Sequence, residues 1–363
     1  MQITDVQAHL LAIPQQQDDL ASPWVSGGFR HQILVTVETD AGITGYGEAF
    51  GYGVPHATAA VVNQTLKPLL VGQDATQITA LQEHLYRQTH LFGRYGITTF
   101  AISGVDIALW DIAAKCAGMP LYQLLGGAPT RDIPTYASLV RYAEPAQVRT
   151  VTERALNEGY EAIKLHQIDV ESLRLARDVA GEDVLLMMDI NCAWMPEEAL
   201  EMAQQLIPEE LYWLEEPLWP PEDFDGLAAL GSLSGTPIAT GENACTVFQF
   251  RQMLEAGAAT FIQPSVTKAG GISEWRKIAA LAESYNVSLA PHSPYFGPGL
   301  LATAHLVAAT PRALWLEYFY TRPEASVFKD FPEVSNGIFP LPDGPGIGLE
   351  IDAEVVARYR EAG

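Results

Sequence analysis

The sequence predicts an α/β protein built as a (β/α)8-type barrel over residues 126–340, with an α+β unit over residues 1–125 before it. A last segment, 341–363, returns to that first unit. Three observations carry the prediction. Short apolar runs recur at a steady interval through the second half of the chain, each ends in a polar residue, and helix-period segments fill the intervals.

The first unit opens its regular pattern with β-formers at 33–39 and 44–48, flanking a turn that contains Gly42, which reads as a hairpin. Helical patterns follow at 57–69, 78–87 and 98–117, the last closed by Gly118 and Pro120. The apolar runs then end at Ser138, His166, Asp189, Glu215, Glu242, Gln263, His292 and Glu317, with successive ends 28, 23, 26, 27, 21, 29 and 25 residues apart. Each interval holds one strand, one helix and two short loops, as in 172–179, 197–206, 247–254 and 273–285. Barrel active sites lie at the C-terminal ends of the strands, where these polar residues fall.

Composition narrows the function. With 363 residues and 48% hydrophobic content the chain can bury two cores. Its apolar runs read as too short and interrupted to cross a bilayer, and MQITDVQAHLLAIP lacks a basic leader, so a cytoplasmic protein is expected. A net charge of −23 disfavours nucleic acid as a partner, because phosphates would be repelled. Three widely spaced cysteines, 116, 192 and 245, argue against a disulfide framework.

Chemistry concentrates at the strand ends. A lone acid after a strand is usually a helix cap, but Asp189, Glu215 and Glu242 end three consecutive runs and would converge on one mouth. Three converging carboxylates repel unless a cation joins them, and for an all-oxygen donor set Mg2+ is expected. Lys164 and His166 are two apart on one strand and so face the same side. Lys164 can hold a substrate carboxylate, and an imidazole, with an ordinary pKa of about 6.5, serves as a base near neutrality. His292 and Glu317 end the last two strands, opposite. Asn191 and Gln263 add neutral hydrogen-bonding groups, and Lys268 belongs to the loop after the sixth strand.

These residues carry a resemblance over essentially the whole chain. TDAGITGYGEA, AISGVDIALWDIAAKCAGMPLYQLLGG, KLH, MMDIN, WLEEP, GEN, TKAGGI, PHS, LEY and PGIGLEID together resemble the enolase superfamily, in its mandelate racemase and muconate lactonizing enzyme group. The resemblance implies a modified TIM barrel, (β/α)7β, under an N-terminal α+β capping domain. It implies Mg2+ held by Asp189, Glu215 and Glu242, and a homo-oligomer, dimer or octamer. It also implies removal of a proton from the carbon next to a carboxylate, giving an enediolate. Lys164, His166, His292 and Glu317 match the catalytic positions. The resemblance also places substrate choice in cap loops over the barrel mouth, here 15–31, with Trp24, Phe29, Arg30 and His31, and 50–56, with Tyr52 and His56, while Tyr295 and Phe296 close the other wall. This mixture of polar and aromatic groups fits a small hydroxylated acid.

Two departures matter. The group usually has lysine where this chain has His166, and racemases have aspartate, paired with the histidine at position 292, where this chain has Ser265. A neutral hydroxyl supports imidazolium less well than a carboxylate does, so His292 suits proton donation. The expected reaction is dehydration of a sugar acid or related hydroxy acid to a 2-keto-3-deoxy acid by a lyase. A racemase, epimerase or cycloisomerase is the alternative, and a metal-stabilised binding barrel without catalysis the third.

Overall fold

The structure, a computed structural model, describes residues 1–16, 28–128 and 132–361. Strands β1 (Ile3–Pro14), β2 (Phe29–Thr39) and β3 (Thr44–Ala49) form an antiparallel sheet in that order. The hairpin read from the sequence is β2–β3, turned at Gly42 with φ +74°. β1 was not anticipated. It alternates Val6, Ala8 and Leu10 inward against Val37, Val35 and Ile33 of β2, a period-two pattern that supplies half of the sheet's core face.

Helices α1 (Pro55–Ala60), a π-helical stretch over Val61–Leu66, α2 (Lys67–Leu70) and α3 (Ile78–Gln88) precede the long α4 (Ile97–Ala117). α4 lies directly on β3, which explains two glycines of the TDAGITGYGEA motif. A Cβ on Gly45 would sit 2.1 Å from the Ala108 carbonyl oxygen, and one on Gly47 1.9 Å from that of Gly104. Contrary to the sequence reading, α4 is long and apolar enough to cross a membrane by length and composition. Its apolarity is spent inside the fold: 78% of its most apolar window is buried.

After α5 (Leu121–Leu124), eight parallel strands follow: β4 (Asp132–Ser138), β5 (Ala162–Leu165), β6 (Leu185–Asp189), β7 (Trp213–Glu215), β8 (Ile238–Thr240), β9 (Phe261–Ile262), β10 (Ser288–Leu289) and β11 (Leu316–Phe319). β4 pairs with both β5 and β11, and a bridge from Leu289 to Ala313, just before β11, closes the ring. Seven helices alternate with them: α6 (Pro145–Asn157), α7 (Val170–Ala180), α8 (Pro196–Leu206), α9 (Phe224–Ser234), α10 (Thr246–Ala256), α11 (Gly271–Ser284) and α12 (Pro298–Ala309). β11 has no such helix. The chain instead makes β12 (Ile338–Pro340), antiparallel to β4, and ends on α13 (Ala353–Tyr359). The barrel is therefore (β/α)7β, the form that the family resemblance implies and one helix short of the eight-unit form that the strand-end spacing suggested.

Inside the ring, bulky Tyr136, Met187 and Trp213 interleave with Ala162, Ala239 and Ala290, filling the barrel so that only its mouth is free for a ligand. The first unit is fixed above that mouth by acids at starts of barrel helices. Glu48 accepts a hydrogen bond from Gly299 N, in the first turn of α12, at 2.8 Å, and Asp106 accepts one from Ser273 N, in the first turn of α11, at 2.9 Å. Helix N-termini leave N–H groups without an intrahelical acceptor, and these acid oxygens satisfy them, although burial raises both carboxyls to about 7. At the far end, Glu361 N donates to the Leu10 carbonyl at 2.9 Å, tying the chain terminus to β1.

Candidate active site

β6 and β7 end on Asp189 and Glu215, and Glu242 lies two residues beyond β8. One oxygen from each carboxylate falls within 4.8 Å of the other two. Lys164, on β5, reaches beneath them, fully buried, with Nζ 2.7 Å from Glu215, 2.9 Å from Glu317 and 3.6 Å from Asp189. His166 stands one residue beyond β5. Its Nε2 is 3.2 Å from Asp189 Oδ2, and its Nδ1 meets the Leu139 carbonyl. His292 is three residues beyond β10, with Nε2 2.9 Å from Glu242 Oε2. Glu317, inside β11, accepts hydrogen bonds from Ser138 Oγ at 2.7 Å and Ser293 N at 2.8 Å.

Four carboxylates, three of them buried and Glu242 partly so, gather around Lys164, with Lys268 a second cation near Glu242, and their protonation divides accordingly. Burial opposes the charge on Lys164, but Glu215 and Glu317 outweigh it and hold the ammonium well above its ordinary range. Burial also opposes ionisation of Asp189, Glu242 and Glu317. Lys164 and His166 keep Asp189 below its ordinary value, His292 and Lys268 keep Glu242 far below, and Lys164 and His292 keep Glu317 below. Glu215 goes the other way: burial, reinforced by Asp189 and Glu317, pushes its carboxyl well up despite Lys164. The set carries more negative charge than Lys164 can balance, so it ionises fully only with a further cation.

Above these groups opens a cavity lined by His166, Asn191, Glu242, His292 and Glu317 from the barrel and by Arg30, His31, Glu48, Phe50 and Tyr52 from the cap, a concave site where a few polar groups converge. Asn191 donates to Asp189 Oδ1 from Nδ2 at 3.0 Å and from its backbone at 2.9 Å. His31 lines the cavity and also meets Glu361 at 3.2 Å. Tyr52, Tyr295 and Phe296 line it too, as does Arg30. Some expected contacts fall elsewhere. Phe29 is exposed and outside the cavity lining, and His56, at 76% side-chain exposure, points to Glu361. Gln263 and Ser265 are fully buried and do not reach the cavity surface. The barrel strands are shorter than the apolar runs implied, so these two sit under the mouth. Trp24 lies outside the described residues.

Ser265 does not meet His292 directly. The Tyr295 hydroxyl stands between them, hydrogen-bonded to Ser265 Oγ and 3.3 Å from His292 Nδ1, while its ring packs edge-on to the imidazole. Three residues take roles that the sequence reading did not assign to them. Arg30 has its guanidinium 4.7 Å from the Phe296 ring centroid and 4.3 Å from that of Phe319, and donates to the Pro294 carbonyl at 2.7 Å. Burial lowers it only to about 10, so it stays cationic at neutrality. Trp213, inside the barrel, donates to Glu215 Oε2 at 2.8 Å. Glu216, the second acid of WLEEP, accepts from Thr240 Oγ1 and Gly241 N at 2.9 Å each and so braces the loop bearing Glu242. The doubled glutamate was the available signal for it.

Comparison with known proteins agrees with this geometry. Residues 25–126 match the mandelate racemase / muconate lactonizing enzyme N-terminal domain, and residues 147–355 match the enolase C-terminal domain-like family. An arabinonate dehydratase of Saccharolobus solfataricus is 33% identical over 372 residues, covering 99% of each chain. A 3,6-anhydro-alpha-L-galactonate cycloisomerase of Streptomyces coelicolor is 35% identical over 336 residues, covering 90% of each. The crystal structure of a racemase from Streptomyces coelicolor A3(2) with bound magnesium superimposes with a TM-score of 0.86 at 32% identity, over 99% of this chain and 100% of that one. The chain is a member of the mandelate racemase and muconate lactonizing enzyme group of the enolase superfamily.

Proposed function

We propose that this enzyme is a Mg2+-dependent lyase that dehydrates a sugar acid or related hydroxy acid to a 2-keto-3-deoxy acid. The observation that carries the proposal is the placement of two imidazoles with different surroundings at one carboxylate triad: His166 against Asp189, and His292 against Glu242 with a neutral hydroxyl behind it. The donor set fits Mg2+. Asp189, Glu215 and Glu242 offer only hard oxygens, and their excess negative charge calls for a divalent cation. When bound, Mg2+ supplies positive charge next to the substrate carboxylate, where negative charge grows during proton removal.

The remaining work falls to side chains. Lys164, buried beneath the carboxylates, adds positive charge at the carboxylate end of the site beside Glu317. His166 removes the proton from C2, and the C–H electron pair moves into the carboxylate to give an enediolate. That pair then returns, the C3–O bond breaks, and His292 gives the Nε2 proton to the departing hydroxyl, which leaves as water. The enol tautomerises to the keto acid. No oxidant or reductant is needed, and general acid–base transfer contributes roughly a hundred- to ten-thousand-fold of the rate. Asn191, His31 and Tyr52 are the substrate contacts, in a cavity that Arg30 and Glu48 close from the cap. A cytoplasmic homo-oligomer is the expected setting.

The cycloisomerase name of one relative supports a second possibility, in which the same enediolate expels a ring oxygen instead of a hydroxyl. Hydrogen exchange separates base from acid in either case. His292→Asn should lose elimination yet still exchange the substrate C2 hydrogen with deuterium from solvent, whereas His166→Asn should lose both. Exchange in His166→Asn with none in His292→Asn would reverse the two roles.

A further inference from the structure

We propose that Tyr295, oriented by Ser265, is a positioning residue that holds the His292 ring through Nδ1 so that Nε2 alone exchanges protons with the substrate. The proposal rests on the reading of His292 as proton donor. Four observations support it. The Tyr295 hydroxyl lies 3.3 Å from His292 Nδ1, and Ser265 Oγ is bonded to that same hydroxyl. Thr267 Oγ1 continues the chain 3.5 Å from Ser265 Oγ. The opposite nitrogen of His292 faces Glu242 at 2.9 Å, on the cavity side. Ser265 and Tyr295 are both buried, at 0% and 6% exposure, so water does not readily compete for these bonds.

The direction of the bonds follows from what proton donation requires. After Nε2 gives up its proton, the ring is neutral only if Nδ1 keeps its own, so Nδ1–H needs an acceptor through the whole cycle. The phenol oxygen is that acceptor once its own proton is donated to Ser265 Oγ, and Ser265 can donate onward to Thr267. A phenol carries no charge. Unlike a carboxylate in that place, it orients the ring without adding an electrostatic hold on the transferred proton. A tyrosine arriving from the His292 loop thus replaces a partner that Ser265, too far down and too short, does not supply alone.

Tyr295→Phe removes only the hydroxyl and keeps the ring against His292. Loss of one hydrogen bond to a reacting group, worth about 1.5–3 kcal/mol, predicts elimination slower by about ten- to a hundred-fold in kcat with little change in KM. Ser265→Ala should cost less, and the double variant should be no worse than Tyr295→Phe, because the two act in series. A raised KM with normal kcat would make Tyr295 a substrate contact instead, and additive losses would break the chain into independent parts; either overturns the proposal. A second readout needs no turnover. In 15N-histidine-labelled protein with Mg2+, an Nδ1–H signal assigned by its loss in His292→Asn should be protected from solvent exchange and lose that protection in Tyr295→Phe. Equal protection in Tyr295→Phe refutes the positioning role even in an active dehydratase. Lost protection in a protein that eliminates nothing refutes the dehydratase and leaves the positioning role standing.

Discussion

Glu48→Gln should flatten the pH dependence of stability by about 3 kcal/mol. Glu48 is 5% exposed and reaches from β3 to the first turn of α12, and burial raises its carboxyl from an ordinary 4.5 to about 7, against the opposing pull of Gly299 N and Arg30. The folded protein therefore keeps this proton at a pH where the unfolded chain has released it. Between about pH 4.5 and 7 the native state binds more protons than the unfolded state, so stability falls as pH rises, and the full penalty is present above 7. A midpoint displaced from 4.5 to about 7 corresponds to about 3 kcal/mol, and the low exposure leaves little solvent screening to reduce it. Glutamine keeps a carbonyl oxygen for Gly299 N but has no proton to lose. The assay is urea unfolding of both proteins at pH 5, 6, 7 and 8 in a common salt. Wild type should lose about 2.5 kcal/mol more than the variant between pH 5 and 8, the rest of the difference falling below pH 5. Parallel pH profiles would refute the assignment.

The metal and its buried cation give two further expectations. Glu215→Gln should weaken Mg2+ binding measured by calorimetry and abolish turnover, with an unchanged circular dichroism spectrum; full activity, or a response to Zn2+ and none to Mg2+, would refute the triad as a Mg2+ site. Lys164→Met removes the ammonium from between Glu215 and Glu317 and should cost about 3–5 kcal/mol in metal-free unfolding, because it leaves buried carboxylates uncompensated. Unchanged metal-free stability would mean that the carboxylates share protons without Lys164.

The barrel was legible because strand and helix alternate with a nearly fixed spacing and because one face of each strand is apolar. The carboxylates were legible because each closes such a run, and Lys164 and His166 because strand geometry puts residues two apart on one side. What failed did so for physical reasons. β1 is the exception, since Val6, Ala8 and Leu10 carry the period-two alternation of a half-buried strand and make it readable in the sequence. α4 reads as a candidate membrane span on composition, and only its packing on glycines 45 and 47 shows where that apolar surface goes. The absence of an eighth helix was carried by the family motifs and not by the spacing of runs, and the burial of Gln263 and Ser265 follows from strand shortness, which that spacing does not encode. The Tyr295 contact joins residues 30 apart in sequence through a loop conformation, and Arg30 reaches Pro294 across 264 residues. Pair contacts of that separation leave no periodic trace in one chain.

Cap docking and site geometry are not independent in this fold. α11 begins just after the loop bearing Ser265 and Lys268, and α12 just after the loop bearing His292 and Tyr295. Those are the two helices whose first turns the cap holds, through Asp106 and Glu48. The cap also sends Arg30 to the Pro294 carbonyl, between His292 and Tyr295. Three cap side chains thus fix the starts of two helices and the loop joining one of them to its strand, which is where the contact between Ser265, Tyr295 and His292 is made. A cap held only by apolar burial could slide, since hydrophobic contact is non-directional. Carboxylates on helix N-termini and a guanidinium on a carbonyl have preferred directions, so they transmit the position of the cap to the nitrogen that would move the proton.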